Sequence, residues 1–140
     1  MPSPAIPFLS HVSVGVADIA RAKAFYDAVL APLGVKRLFD EPYGCAWGHQ
    51  FPAFWAQRPF DGQPPSAGNG VHVCFNAPDK AAVDAFHAAA VKAGGRCDGA
   101  PGLRPDYTPN YYAAFVRDPD GNKIEAVRFL TGDELASLPR

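Results

Sequence analysis

Apolar and polar residues alternate from position 8 to 16, with Phe8, Val12, Val14 and Val16 on one side and His11, Ser13 and Gly15 on the other. A period of two is the mark of a strand buried on one face. Asp18 then stands at a helix N-cap. After it Ile19, Ala22, Phe25, Tyr26, Val29 and Leu30 recur at helical spacing. Pro32 and Gly34 stop that helix. Three short strands are predicted over 35–39, 43–48 and 52–57, separated by turn-forming residues. A stretch holding Pro59, Gly62, Pro64, Pro65 and Gly68 reads as a linker.

The series then begins again. Val71, Val73 and Phe75 alternate with His72 and Cys74, and Asp79 caps a helix predicted over 80–93. Its apolar stripe is Val83, Phe86, Ala90 and Val91, and Gly94-Gly95 ends it. Residues 96–110 read as a Pro- and Gly-rich loop with one short strand. A strand at 111–117, a turn at Asp118-Pro119-Asp120-Gly121, and a strand at 122–129 complete the series. A short helix is predicted over 131–138.

The repeat is exact in its markers. His11, Asp18 and Phe25 are matched by His72, Asp79 and Phe86, each 61 residues on. A repeated strand–helix unit means two similar modules. Each would expose one apolar face of a small sheet if alone, and pairing the two buries it. The predicted fold is therefore α+β: two βαβββ modules forming an open, barrel-like curved sheet with helices outside. A chain of 140 residues is one domain by size. Module one is about 6–58, the linker 59–69, module two about 70–130, and a tail 131–140.

Composition narrows the function. The formal net charge is −1 and no basic run occurs, so nucleic acid and anionic membrane surfaces are not expected partners. No apolar run approaches the ~20 residues of a membrane span. No secretory signal is visible at the start. Three cysteines, Cys45, Cys74 and Cys97, make an odd count without a CxxC, which points to a reducing cytoplasm. The repeated histidines are the chemical feature, since imidazole is the commonest metal ligand.

The βαβββ repeat, the histidine opening each half, and the segment Asp118-Pro119-Asp120-Gly121-Asn122-Lys123-Ile124-Glu125 together resemble the vicinal oxygen chelate superfamily. That family holds glyoxalase I, extradiol dioxygenases, methylmalonyl-CoA epimerase, fosfomycin-resistance thiol transferases and bleomycin-resistance proteins. Asp18, Ala24-Phe25-Tyr26 and Leu33-Gly34 resemble its first helix. The likeness runs over about residues 6–130.

The resemblance implies a divalent metal ion (Fe, Mn, Ni or Zn) held by His11, His72 and Glu125. Two histidines and a carboxylate leave coordination positions open for substrate oxygens. Glyoxalase I and the epimerase draw a fourth ligand, Glu or Gln, from the last strand of module one. Here alignment puts Trp55 at that place, with Gln57 two residues on. Ser13 and Cys74 share strand faces with the two histidines. Cys74 reads as an inert thiol, for no basic neighbour is evident. Ser13, Trp55, Gln57, Cys74, Arg104 and Tyr112 are the residues expected around the substrate, with Tyr111 and Tyr107 as further hydroxyls. The fosfomycin branch carries a serine-containing cation loop where residues 98–110 here are Pro-rich and lack serine.

The leading expectation is a metal-dependent enzyme acting on a small oxygen-chelating substrate, a lyase or isomerase or a ring-cleaving dioxygenase. The alternative is a non-catalytic binding protein of the bleomycin-resistance type, with Trp47, Phe51, Phe54 and Trp55 as an aromatic cup. A homodimer follows from the resemblance, with modules paired within or between chains.

Overall fold

The computed structural model describes residues 5–139. Module one is built from β1 (Val12–Gly15), α1 (Ile19–Leu30), a 3-10 turn (Ala31–Leu33), β2 (Lys36–Glu41), β3 (Gly44–Gly48) and β4 (Phe54–Gln57). Module two repeats the order with β5 (His72–Asn76), α2 (Lys80–Lys92), β6 (Arg96–Leu103), β7 (Tyr111–Arg117) and β8 (Lys123–Phe129). A short α3 (Gly132–Ala136) follows, and Arg140, the end of the predicted tail, lies outside the described residues. Each module makes its own four-stranded sheet, ordered β1-β4-β3-β2 and β5-β8-β7-β6. The first strand of each runs parallel to the last, and the other pairings are antiparallel. The α+β expectation of two βαβββ modules holds, and neither sheet closes into a barrel.

The helices begin where the caps said they would. Asp18 accepts a hydrogen bond from the Arg21 amide at 3.0 Å, and Asp79 from the Ala82 amide at 2.8 Å. Such a cap stabilises a helix by about 1 kcal/mol. Both helices cover the same side of the two sheets, and one continuous core fills the space between. Tyr26 sits at its centre against Phe25, Trp47 and Phe54. Phe54 of module one meets Phe75 of module two edge to face at 5.0 Å, so the core crosses the module boundary. The opposite face of the sheets carries no helix.

Three details depart from the alternation. Phe8 is 99% exposed and β1 starts only at Val12, because among the described residues no strand pairs with the chain before it. Val91 is exposed, and the buried stripe of α2 is Ala82, Val83, Phe86 and Ala90. The expected loop after α2 is largely strand: β6 is an edge strand with bulges around Gly99 and Gly102. Glycine and proline at 99, 101 and 102 hide it, since an edge strand tolerates both where an interior one does not.

The turn between β7 and β8 fastens module two to module one. Asp118 is only 4% exposed, yet every lone pair of its carboxylate is engaged. Oδ2 accepts from Tyr26 Oη at 2.6 Å and Asn122 Nδ2 at 2.9 Å. Oδ1 accepts from the amides of Asp120 and Asn122 at 2.9 and 2.8 Å. Asn122 Nδ2 also donates to the Gly15 carbonyl at the end of β1. Asp120 accepts from the Ala17 amide and from Arg21. Burial, and next the Asp118 charge, push the Tyr26 hydroxyl well above its ordinary pKa, so it remains a donor. Close approach of the modules also needs glycine at 95. A Cβ there would lie 2.8 Å from the Phe25 ring and 2.8 Å from the Arg117 carbonyl.

Three substitutions test this in urea. Tyr26→Phe removes one of four donors and is expected to cost about 1–3 kcal/mol, while Asp118→Ala strands Tyr26 and Asn122 and costs about 3 kcal/mol or more. An Asp118→Ala midpoint equal to wild type would show that the clamp carries no stability. Gly95→Ala is expected to cost about 1–3 kcal/mol by overpacking, read from the same transition.

Candidate metal centre

Glu125 lies in the middle of β8 and His72 at the start of β5. Parallel pairing sets Cys74 beside Glu125. His72, two residues earlier on the same face, is then the diagonal neighbour, and its Nε2 lies 3.2 Å from Glu125 Oε1. Glu125 is 1% exposed, whereas the His72 side chain is half open to solvent. Tyr111 Oη donates a short hydrogen bond to Oε2, which fixes the second oxygen. Among the described residues no Lys or Arg pairs with this carboxylate. A buried carboxylate is tolerated only when paired, hydrogen-bonded or bound to a cation. An imidazole nitrogen and a carboxylate oxygen, adjacent and with no Lys or Arg between them, form a donor set that fits a divalent ion.

The neighbours report the same negative surroundings. Burial, then the hydrogen bond to Glu125, push the Tyr111 hydroxyl far above its ordinary value. Burial, then the Glu125 charge, push the Cys74 thiol up to about 12. Cys74 is therefore a neutral thiol near pH 7 and a poor nucleophile, as the lack of a basic neighbour in the sequence suggested.

His11 precedes β1 and is exposed, with Nδ1 3.0 Å from Ser10 Oγ. Together with His72, Cys74 and Phe75 it lines a cleft of about 450 Å³ between the edges of the two sheets. Among the described residues, though, no three His, Cys, Asp or Glu side chains gather closely enough to hold one ion. One chain thus brings His72 and Glu125 together and leaves His11 apart from them.

The internal repeat locates the missing fourth ligand. Ser13 pairs with Trp55 as Cys74 pairs with Glu125. Trp55 therefore stands at the module-one counterpart of Glu125, as the alignment had it. Its indole donates to the Pro52 carbonyl at 2.9 Å and its ring packs on Phe39 at 4.8 Å, so it is a wall and not a ligand. Gln57 lines a different cavity, of about 430 Å³, bounded by Ser13 and the linker residues Arg58 to Ser66.

Tyr112 does not face the centre. Odd residues of β7 share the face of Glu125, because Phe115 pairs with Glu125. Tyr112 points instead to α2 and donates to Asp84 at 2.5 Å. Tyr111 takes the place expected of it. The parity of Tyr112 with Ala114 and Val116, both core residues, was the signal available in the sequence. Arg104 lies on the far side of Phe115, with its guanidinium 5.4 Å from that ring.

A sequence profile of the Glyoxalase/Bleomycin resistance protein/Dioxygenase superfamily matches residues 8–126. The crystal structure of a glyoxalase/bleomycin resistance protein from Albidiferax ferrireducens T118 shares 39% identity, covering 86% of this chain and 98% of that one, at a TM-score of 0.81. Two more distant structures share the fold. A glyoxalase/bleomycin resistance protein/dioxygenase family enzyme from Burkholderia phytofirmans PsJN has 21% identity, 86% and 98% coverage and a TM-score of 0.67. Lactoylglutathione lyase from Agrobacterium tumefaciens has 23% identity, 90% and 94% coverage and a TM-score of 0.60. No curated protein matches the chain. With both modules of the fold and nearly its whole length matched, the chain belongs to the glyoxalase/bleomycin resistance protein/dioxygenase superfamily.

Proposed function

We propose that the chain is a divalent-metal-dependent enzyme acting on a small substrate that offers two adjacent oxygens, with His11, His72 and Glu125 as ligands. The observation that carries this reading is the 3.2 Å approach of His72 Nε2 to Glu125 Oε1 around a buried carboxylate with no Lys or Arg partner. When bound, the ion would polarise the chelated substrate oxygens and stabilise negative charge developing on them. Tyr111 holds Glu125 in one orientation. Trp55 and Phe39 supply an apolar wall where a second carboxylate would otherwise stand. That arrangement favours the three-ligand reactions, ring-cleaving oxygenation or addition, over a proton shuttle between two carboxylates.

The third ligand comes from a second copy of the chain in this proposal. His11 immediately precedes β1 and His72 opens β5, the strands at the edges of the two sheets, and the open face leaves Phe129 and Tyr107 exposed beside Tyr111. Exposed apolar groups of this kind mark an association surface. A two-fold dimer places His11 of each copy against the His72–Glu125 pair of the other. Three free cysteines and no helix long and apolar enough to cross a membrane among the described residues accord with a cytoplasmic setting. A binding protein without catalysis is the second reading, and the Trp55–Phe39 wall favours it.

Elemental analysis of protein purified without an affinity tag is expected to find Fe, Mn, Ni or Zn near one ion per chain, lost in His72→Ala. Absence of metal in wild type after reconstitution under reducing conditions would transfer the assignment to the binding protein. A mixing experiment tests the shared site. His11→Ala and His72→Ala alone should each be metal-free. Unfolded together and refolded, they should recover about a quarter of the wild-type metal, because half the dimers are mixed and each carries one intact site. No recovery in a mixture shown to form mixed dimers would place the ligands within one chain.

A further inference from the structure

The open face of module two carries a cation that among the described residues has no ion-pair partner and that the metal centre does not use. Arg104 follows β6 and folds back along it. Nη2 donates to the Ala100 carbonyl at 2.7 Å and Nη1 to the Gly102 carbonyl at 2.9 Å. The guanidinium lies 5.4 Å from the Phe115 ring. Glycine makes room for it: a Cβ at Gly99 would lie 3.1 Å from Nη2, and one at Gly102 would lie 3.3 Å from Nη1. Carbonyls orient the group without cancelling its charge. Lys123 and Arg117 nearby are both paired with Asp98, but among the described residues no carboxylate lies within ion-pairing distance of Arg104. Nη1 also donates to the Leu103 carbonyl at 3.5 Å, so three of the five guanidinium donors are used; Nε and the second Nη2 proton are left, and an arginine edge of that kind matches a carboxylate in two parallel hydrogen bonds.

Register gives the group its distance from the metal centre. Gly99 pairs with Phe115, and Phe115 with Glu125. The guanidinium over Gly99 is therefore two strand spacings from Glu125, or about 10 Å. The His72 ring stands on the near side of Phe115, at 6.5 Å between centroids. Lys123 Nζ also lies 5.2 Å from the centroid of that ring, so a small molecule reaching from His72 to Arg104 would cross Phe115 beside a second cation, one already paired with Asp98.

We propose that Arg104 is the anion-recognition residue of the site, taking a carboxylate at the end of the substrate remote from the oxygens that meet His72 and Glu125. This rests on the metal-centre reading and deepens it: the substrate is a chelating acid with a second, distal carboxylate. Arg104 binds and orients, and takes no part in bond making.

The test uses two probes that differ only in the distal group, 2-oxoadipate and 2-oxohexanoate, titrated calorimetrically into Mn2+-loaded protein. Wild type is expected to prefer the dicarboxylate by about tenfold or more, and Arg104→Gln by less than about twofold. Equal affinities in wild type, or a preference that survives in Arg104→Gln, would overturn the proposal. A second measurement on wild-type protein without metal follows the Arg104 Nε–Hε resonance as succinate or succinamide is added. Movement with succinate alone supports the anion site, and no movement with either refutes it. If Mn2+ fails to bind, the metal reading falls, and the succinate titration still decides for or against Arg104. If Mn2+ binds and the dicarboxylate preference is absent, the anion site falls alone.

Discussion

The carboxylate of Asp118 is the interaction through which the modules and the site depend on one another. A buried charge survives only where its lone pairs are filled. Here the donors come from both halves: Tyr26 from α1, and the amides and Asn122 from the turn itself. Asn122 extends the network to the Gly15 carbonyl, and Asp120 extends it to the first turn of α1. β8 begins one residue after Asn122, so the clamp also fixes where Glu125 arrives relative to β1. The edge of sheet one that follows His11 and the strand that carries Glu125 are held by the same few hydrogen bonds.

Alternation along the strands then divides the labour. Val73, Phe75, Ile124 and Ala126 turn to the helices and join the core, and Tyr112 caps that side with its bond to Asp84. His72, Cys74, Glu125, Tyr111 and Phe115 turn the other way. A slip of one residue in β8 would move Glu125 into the core and Ile124 to the open face, so register here is enforced by the cost of burying a charge among aliphatic side chains. The chemistry of the open face is in this sense protected by the packing of the closed one.

The same alternation explains what could be read beforehand. The two helices, their Asp caps and the His-bearing strands each announced themselves through a period or a cap, because local physics sets them. His72 followed from the repeat, and Glu125 from the family resemblance of the segment that ends in it. β6 did not, since Gly99, Pro101 and Gly102 suppress the period-two signal while an edge position tolerates them. Tyr112 was misplaced by one residue, which in a strand is the whole distance between two faces. The grouping of His11 was beyond reach for a different reason. Whether strands from two modules face one another within a chain or across a dimer is settled by tertiary and quaternary packing, and spacing along a chain carries no record of it.

The halves of the repeat are not equivalent where it matters most. Both keep the histidine, and both keep the parallel strand beside it, but the position facing Ser13 is Trp55 and the position facing Cys74 is Glu125. Around Glu125, Tyr111 and Cys74 both resist ionisation, whereas position 55 carries no charge at all. The indole instead brings an apolar surface with its one polar atom satisfied by Pro52. An indole so engaged offers no donor to an ion. Under the proposed metal-centre reading, this asymmetry argues against reactions that pass a proton between opposed carboxylates. It points toward ones in which a single face holds the ligands and the opposite face shapes the substrate.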